Sequence, residues 1–214
     1  MTYHTVIFDL DGTLLNTLTD IFNSVNYVLK TNKLPTHSID CIQSFIGNGA
    51  YTLIERAVPP NSTQELIDTV YLQYMQHYAL HKNDTTAPYN GIYDLLTLLK
   101  QKGIKTAVLS NKPDVQTKPL CAELFTGLID YAKGQTEDMP SKPHPDGVYH
   151  VLKQLGSTAS ETLYVGDSEV DMQTGKNANL YTVGVSWGFR STKELVAHGA
   201  DYIINVPSEL TKLL

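Results

Sequence analysis

Two periodicities share this chain. Short apolar runs rich in β-branched residues have the length and composition of buried strands: Val6-Ile7-Phe8, "IKTAVLS" (104–110), "TLYVGD" (162–167), "LYTVGVS" (180–186) and "DYIIN" (201–205). Between them, apolar positions recur at helical spacing. Ile92, Leu95, Leu96 and Leu99 follow i, i+3, i+4, i+7, and Gly103 supplies a stop. Val148, Val151, Leu152 and Leu155 repeat the pattern between Pro145 and Gly156. Strand and helix in alternation predict an α/β fold whose mainly parallel sheet carries helices on both faces, three layers in all.

One segment breaks the alternation. From residue 16 to residue 84 only helical signals occur. Leu18, Ile21, Phe22, Val25, Val28 and Leu29 form one apolar stripe, and Ile67, Val70, Tyr71, Tyr74 and Tyr78 form a second. Ser62 and Glu65 read as a capping box opening that second helix. The pattern predicts a helical domain at 16–84, inserted after the first strand into a core made of 1–15 and 85–214. No repeats or low-complexity tracts interrupt it.

The strand ends carry the chemistry. Functional residues of open α/β sheets gather at the carboxyl ends of the strands. Asp9 and Asp11 follow the first strand, Ser110 and Asn111 the second, and Gly166 and Asp167 the third, with Asp171 one helical turn further on. Lys142 lies in "MPSKPHP", stiffened by three prolines. If the sheet forms, these segments meet at one mouth. Carboxylates so gathered repel one another unless a cation sits among them. Oxygen donors without His or Cys select a hard cation, and Mg²⁺ is the expected one. Lysine, metal and the hydroxyls of Thr13 and Ser110 are what phosphoryl transfer requires. Two acids one residue apart then divide the work: one attacks phosphorus, the other shuttles a proton.

Bulk properties narrow the partners. At 214 residues the chain can bury one large domain or a core with a smaller one. A net charge of −6 argues against nucleic-acid and anionic-membrane partners, while a small anionic substrate can still meet a locally positive pocket. Cys41 and Cys121 form no metal spacing and imply no disulfide framework, and "MTYHTVIFDL" does not read as a signal peptide. A reducing, cytoplasmic location is expected. Oligomeric state is not legible.

"DLDGT", "SNK", "SKPHP" and "GDSEVD", in this order, resemble the haloacid dehalogenase-like hydrolase superfamily over essentially the whole chain. The resemblance implies a Rossmann-like core and makes the inserted helices a cap that closes over small substrates. It implies Asp9 as nucleophile and Asp11 as general acid/base, with the Asp11 backbone carbonyl on the metal. It implies Ser110 and Lys142 as phosphate ligands, with Thr13 and Asn111 beside them. Asp9, Asp11 and Asp167 become the Mg²⁺ site, and Asp171 supports it. An aspartic acid at position 11 points to phosphate esters, because members that cleave carbon–halogen bonds lack it. The stretches "FIGNGAYTLIERAV" (45–58), "SNKP" and "GVSWGF" resemble bacterial phosphoglycolate phosphatases. Gly47, Asn48, Gly49 and Arg56 become the candidate specificity residues of the cap. Asn16 departs from that group, which usually carries Asp there, and Arg56 is the only arginine of the cap.

The expected function is a Mg²⁺-dependent phosphatase for a small phosphorylated metabolite, with 2-phosphoglycolate first. Pyrophosphate, sugar phosphates and nucleotides stay open, as does a phosphomutase built on the same core. A phospho-acceptor signalling domain shares the aspartate, metal and lysine, but is shorter and has no acid/base residue two positions on. Other motifs read more plainly as structure. "GVSWG" (184–188) matches a serine-hydrolase elbow but lacks room for a triad, leaving a glycine loop beside the site. His77 and His81 stand four apart without a third zinc ligand. A calcium loop counted from Asp9 lacks its glycine and its glutamate.

Overall fold

The computed structural model describes residues 3–214. In chain order, β1 (Thr5–Phe8) and β2 (Leu15–Asn16) precede α1 (Leu18–Thr31), α2 (Ile39–Phe45), α3 (Ala50–Ala57) and α4 (Gln64–His81). The chain returns through β3 (Ala87–Pro88) into α5 (Ile92–Gln101), β4 (Lys105–Pro113), α6 (Asp114–Leu124), β5 (Tyr131–Gln135) and α7 (Asp146–Leu155). It closes with β6 (Thr162–Gly166), α8 (Glu169–Asn177), β7 (Tyr181–Val185), α9 (Thr192–Ala197) and β8 (Tyr202–Ile204). Among the described residues two compact units result, one of residues 3–15 and 88–214, the other Asn16–Ala87.

The first unit is a six-stranded sheet in the order β5-β4-β1-β6-β7-β8, every neighbouring pair parallel. With the strands of this sheet counted along the chain, that is the doubly wound order 3-2-1-4-5-6. Alternation along each strand feeds two cores. Val6, Phe8, Val108, Leu163 and Val165 point to the face covered by Ile92, Leu95, Leu96 and Leu99 of α5. Ile7, Ala107, Leu109 and Tyr164 point to the opposite face, under Val148, Val151 and Leu152 of α7. The expected apolar stripes of α5 and α7 are therefore the two faces that build the sandwich. Gly156 ends α7 in the left-handed conformation that glycine adopts without penalty.

Two elements of this unit carry no clean sequence signal. β5, "YAKGQ", is an edge strand whose middle is Lys133 and Gly134, so no apolar run marks it. α6 contains Pro119 and lacks an apolar stripe, yet it buries Leu120 and Cys121. β4 also runs past Ser110 to Pro113, longer than its apolar run.

The second unit is all-helical. Val25, Val28 and Leu29 of α1 and Ile67, Val70, Tyr74 and Tyr78 of α4 are buried within it. The cap of α4 falls one residue later than expected. Thr63 accepts from the Leu66 amide at 3.3 Å, whereas Ser62 turns back to donate to the Pro59 carbonyl at 2.7 Å. His77 and His81 stack on each other at 4.3 Å, with His77 Nδ1 on Ser24 Oγ at 3.0 Å and His81 Nδ1 on Asp84 at 2.8 Å. Both rings are engaged locally, in keeping with a packed helix end.

Asp20 staples this unit shut. Its buried carboxylate accepts the amides of Thr85 and Thr86 and both threonine hydroxyls, at 2.6 to 3.0 Å. Burial pushes the carboxyl pKa up, but these donors outweigh it and hold it below the ordinary value. The staple joins the first turn of α1 to the segment leaving the unit, so residues 85–87 belong to it. A depressed folded pKa means its contribution is present above the unfolded value and lost as pH falls through the folded one. Asp20→Ala strands these buried donors and should cost about 2–3 kcal/mol, read as a lower urea midpoint at pH 7 with a smaller loss near pH 3.

Candidate functional site

The doubly wound order reverses between β1 and β6, and there the strand ends leave a crevice. Asp9 leaves β1 at that point, its amide donating to the Val165 carbonyl of β6 at 2.9 Å. Asp167 follows β6 directly and Asp171 sits in the first turn of α8. All three are buried, and one carboxylate oxygen from each lies within 4.8 Å of the others. Unshielded, such a cluster is self-repelling. Burial, with the charge of Asp171 next to it, pushes Asp9 up to about 7 despite the opposing Lys142. Asp167 is pushed well up by burial first and then by Asp171 and Asp9.

Lys142 is the internal counter-charge. Its ammonium donates to Asp9 Oδ1 and Asp171 Oδ1 at 2.7 Å each and to the Leu109 carbonyl at 3.1 Å. An ammonium has three N–H groups, so this set satisfies it fully. Burial works against its charge, but Asp171 and Asp9 win and hold its pKa well above the usual lysine value. The far side of Asp171 is held by Ser168, whose amide and hydroxyl donate to Oδ2 at 3.1 and 2.6 Å. Asp171 thereby aims the lysine.

Asn111 also acts on Lys142. Its Nδ2 donates to the Lys142 carbonyl at 3.0 Å and its Oδ1 accepts the Lys142 amide at 2.8 Å. This amide clips the lysine loop to the end of β4. Ser110 is buried in the same strand end and accepts the Lys112 amide at 3.2 Å.

Asp167 is wrapped by backbone. Thr13 Oγ1 donates to its Oδ1 at 3.0 Å and the Phe189 amide to its Oδ2 at 2.7 Å. A Cβ on Gly12 (φ +91°) would fall 2.3 Å from Asp167 Oδ2, and one on Gly188 2.1 Å from Asp167 Cβ. Only glycine lets both segments close on this carboxylate. The loop of "GVSWG" is thus a wall of the cluster, and Trp187 Nε1 ties it to the Thr13 carbonyl at 3.0 Å.

Asp11 stands apart. Its carboxylate is outside the three-carboxylate cluster, and Oδ1 accepts from Lys112 Nζ at 2.8 Å, both side chains largely buried. Sequence reasoning overlooked Lys112 and the Phe189 amide. The only signals were the lysine of "SNK" and the glycines of "GVSWG", and neither motif names its partner. Of the residues expected in the helical insert, Gly47, Asn48 and Gly49 form the turn between α2 and α3. Arg56 is committed to that turn, donating to the Phe45 carbonyl and to Asn48 Oδ1 at 3.0 Å each.

Comparison with known proteins shows the family to which the chain belongs. The haloacid dehalogenase-like hydrolase family model matches residues 6–185. A phosphoglycolate phosphatase of Pseudomonas syringae pv. syringae is 30% identical over 98% of this chain and 78% of its own length. One of Aquifex aeolicus is 30% identical over 98% of this chain and 95% of its own. A crystal structure from Lactobacillus delbrueckii subsp. bulgaricus, provisionally assigned as a phosphoglycolate phosphatase, superposes with a TM-score of 0.93. It is 33% identical and covers 99% of this chain and 98% of its own. The chain belongs to the haloacid dehalogenase-like hydrolases. It is a hydrolase of the phosphatase type and resembles the phosphoglycolate phosphatases. Among the described residues no helix is long and apolar enough to cross a membrane.

The donor set fits a divalent metal: oxygen atoms only, gathered closely and poorly compensated. A linkage follows. Without metal, the folded pKa values of Asp9 and Asp167 exceed their unfolded values of roughly 4. The folded state then binds protons more tightly, so the contribution of these two carboxyls is greatest at low pH and falls as pH rises toward about 7. Chelator-treated protein should melt at progressively lower temperature from about pH 4.5 to 7. Mg²⁺ should recover the loss at pH 7.5, and Asp9→Asn should flatten both effects. Burial holds the His77 ring low and works in the opposite sense, so the difference between wild type and Asp9→Asn is the diagnostic.

Proposed function

We propose that this chain is a Mg²⁺-dependent phosphatase that hydrolyses 2-phosphoglycolate through a phosphoryl group carried on Asp9. The observation that carries the reading is the Asp9–Lys142–Asp171 ion triplet at the β1/β6 crevice, with an oxygen-only acidic cluster around it. The residues that would hold Mg²⁺ are Asp9 and Asp167, with the Asp11 carbonyl; bound there, the ion would neutralise charge on the phosphoryl oxygens.

The chain's own groups do the remaining work. Lys142 offsets the negative charge of the incoming phosphate beside the Asp9 carboxylate, which attacks phosphorus. The ester P–O bond breaks, and Asp11 gives its proton to the leaving oxygen. Asp11 then takes a proton from the water that attacks the phosphoaspartate. The bond from phosphorus to Asp9 breaks, freeing phosphate and restoring the Asp9 carboxylate and the protonated Asp11. Ser110 supplies a hydroxyl donor, Thr13 uses its own to hold Asp167, and Asn111 and Asp171 keep Lys142 in register. The helical unit takes the role of cap, with the Arg56-braced Gly47–Gly49 turn as its reading element. The family resemblance and the 30% identity to phosphoglycolate phosphatases support this assignment.

Phosphate release should require Mg²⁺ and favour 2-phosphoglycolate over pyrophosphate, glucose 1-phosphate, glucose 6-phosphate and a nucleoside monophosphate. Activity spread evenly over that panel would remove the substrate and keep the chemistry. Asp9→Asn should lower kcat by more than about a thousandfold with unchanged circular dichroism, and near-normal turnover in that variant would sink the mechanism.

A further inference from the structure

Trp187 is the only tryptophan of the chain, and the reaction above gives it no part. Its indole is half-buried, packed on the apolar core of the sheet with its ring 6.4 Å from that of Tyr89. Packing of that kind needs a ring but not an N–H. An indole nitrogen can only donate, and this one donates to the Thr13 carbonyl at 3.0 Å, across 174 residues of sequence. The loop that carries Trp187 joins β7 to α9 and is pinned at further points. The Ser186 amide donates to the Ile204 carbonyl of β8 at 3.0 Å, the Phe189 amide to Asp167 Oδ2 at 2.7 Å, and Arg190 Nε to Glu169 Oε2 at 2.9 Å.

Three of these hydrogen bonds close a ring around Asp167. Thr13 Oγ1 donates to Oδ1 and the Phe189 amide to Oδ2, so each carboxylate oxygen receives a donor from a different loop. One glycine separates Phe189 from Trp187, and the indole returns to the Thr13 carbonyl. Two donors on opposite oxygens fix the rotation of a carboxylate only if they are fixed relative to each other. The indole N–H supplies that link. Contact is close enough to transmit a shift, since a Cβ on Gly188 would fall 2.1 Å from Asp167 Cβ.

We infer that Trp187 is a positioning residue for the metal: its N–H holds together the two loops that orient Asp167, and so sets the affinity of the acidic cluster for Mg²⁺. The inference rests on the reading of Asp167 as a Mg²⁺ ligand. Groups behind a ligand carboxylate orient it and tune its affinity.

The test measures Mg²⁺ binding by calorimetry at pH 7.5 on wild type, Asp167→Asn and Trp187→Phe. Trp187→Phe keeps an aromatic ring and removes the donor. Its Mg²⁺ Kd should rise about 3- to 10-fold, the worth of one neutral hydrogen bond. The Mg²⁺ concentration for half-maximal phosphate release should rise with it. If the phenylalanine variant does not fold, the same comparison is made by replacing the sole tryptophan biosynthetically with its benzothiophene analogue, which has sulfur in place of the N–H and nearly the same shape. A Kd equal to that of wild type, whatever the melting temperature of the chelated variant, would overturn the inference and leave Trp187 as core packing, with Asp167 still a ligand. A wild type that binds no Mg²⁺, or Asp167→Asn binding as tightly as wild type, overturns the metal reading of Asp167 and this inference with it.

Discussion

Asp9, Asp167 and Asp171 share a space in which one oxygen from each lies within 4.8 Å of the others, and all three are buried. Like charges that close would drive the strand ends apart unless something positive stood between them. Lys142 stands there, with two carboxylates and a carbonyl on its three protons. Much of the surrounding structure keeps that ammonium in place. Ser168 caps α8 and holds Asp171, Asn111 clips the lysine's backbone to β4, and Asp9 is tied by its amide to β6. The compensation is incomplete, because Asp9 and Asp167 remain harder to ionise than ordinary carboxylates. A site in that condition favours cations and welcomes the combination of metal and phosphate.

The two lysines divide the site by charge. Lys142 belongs to the carboxylates at the β1/β6 crevice, and Lys112 belongs to Asp11. Asp9 and Asp11 are two residues apart and still enter different electrostatic surroundings. One is crowded by acids, the other faces a single cation. Different environments for neighbouring carboxyl groups are what separate a nucleophile from an acid/base.

Local sequence determined more of this protein than its modest length suggests. Apolar runs marked β1, β6, β7 and β8, and helical spacing marked α1, α4, α5 and α7, because buried strands and amphipathic helices repeat at their own periods. Paired carboxylates at a strand end marked Asp9 and Asp11 as chemistry, since no stability argument explains them. β5 and α6 were illegible for the converse reason. Lys133, Gly134 and Pro119 hide the pattern, and their elements hold together through packing on β4 that no window of sequence contains.

Tertiary structure alone decided who pairs with whom. Lys142 meets Asp9 across 133 residues and Lys112 meets Asp11 across 101. Thr13 and Phe189 reach Asp167 from opposite ends of the chain, through glycines whose missing side chains matter only once the backbones converge. A motif names the residue types that a site needs. The partner of each charged group is set by the sheet order, because parallel crossovers bring strand ends together that the sequence keeps far apart.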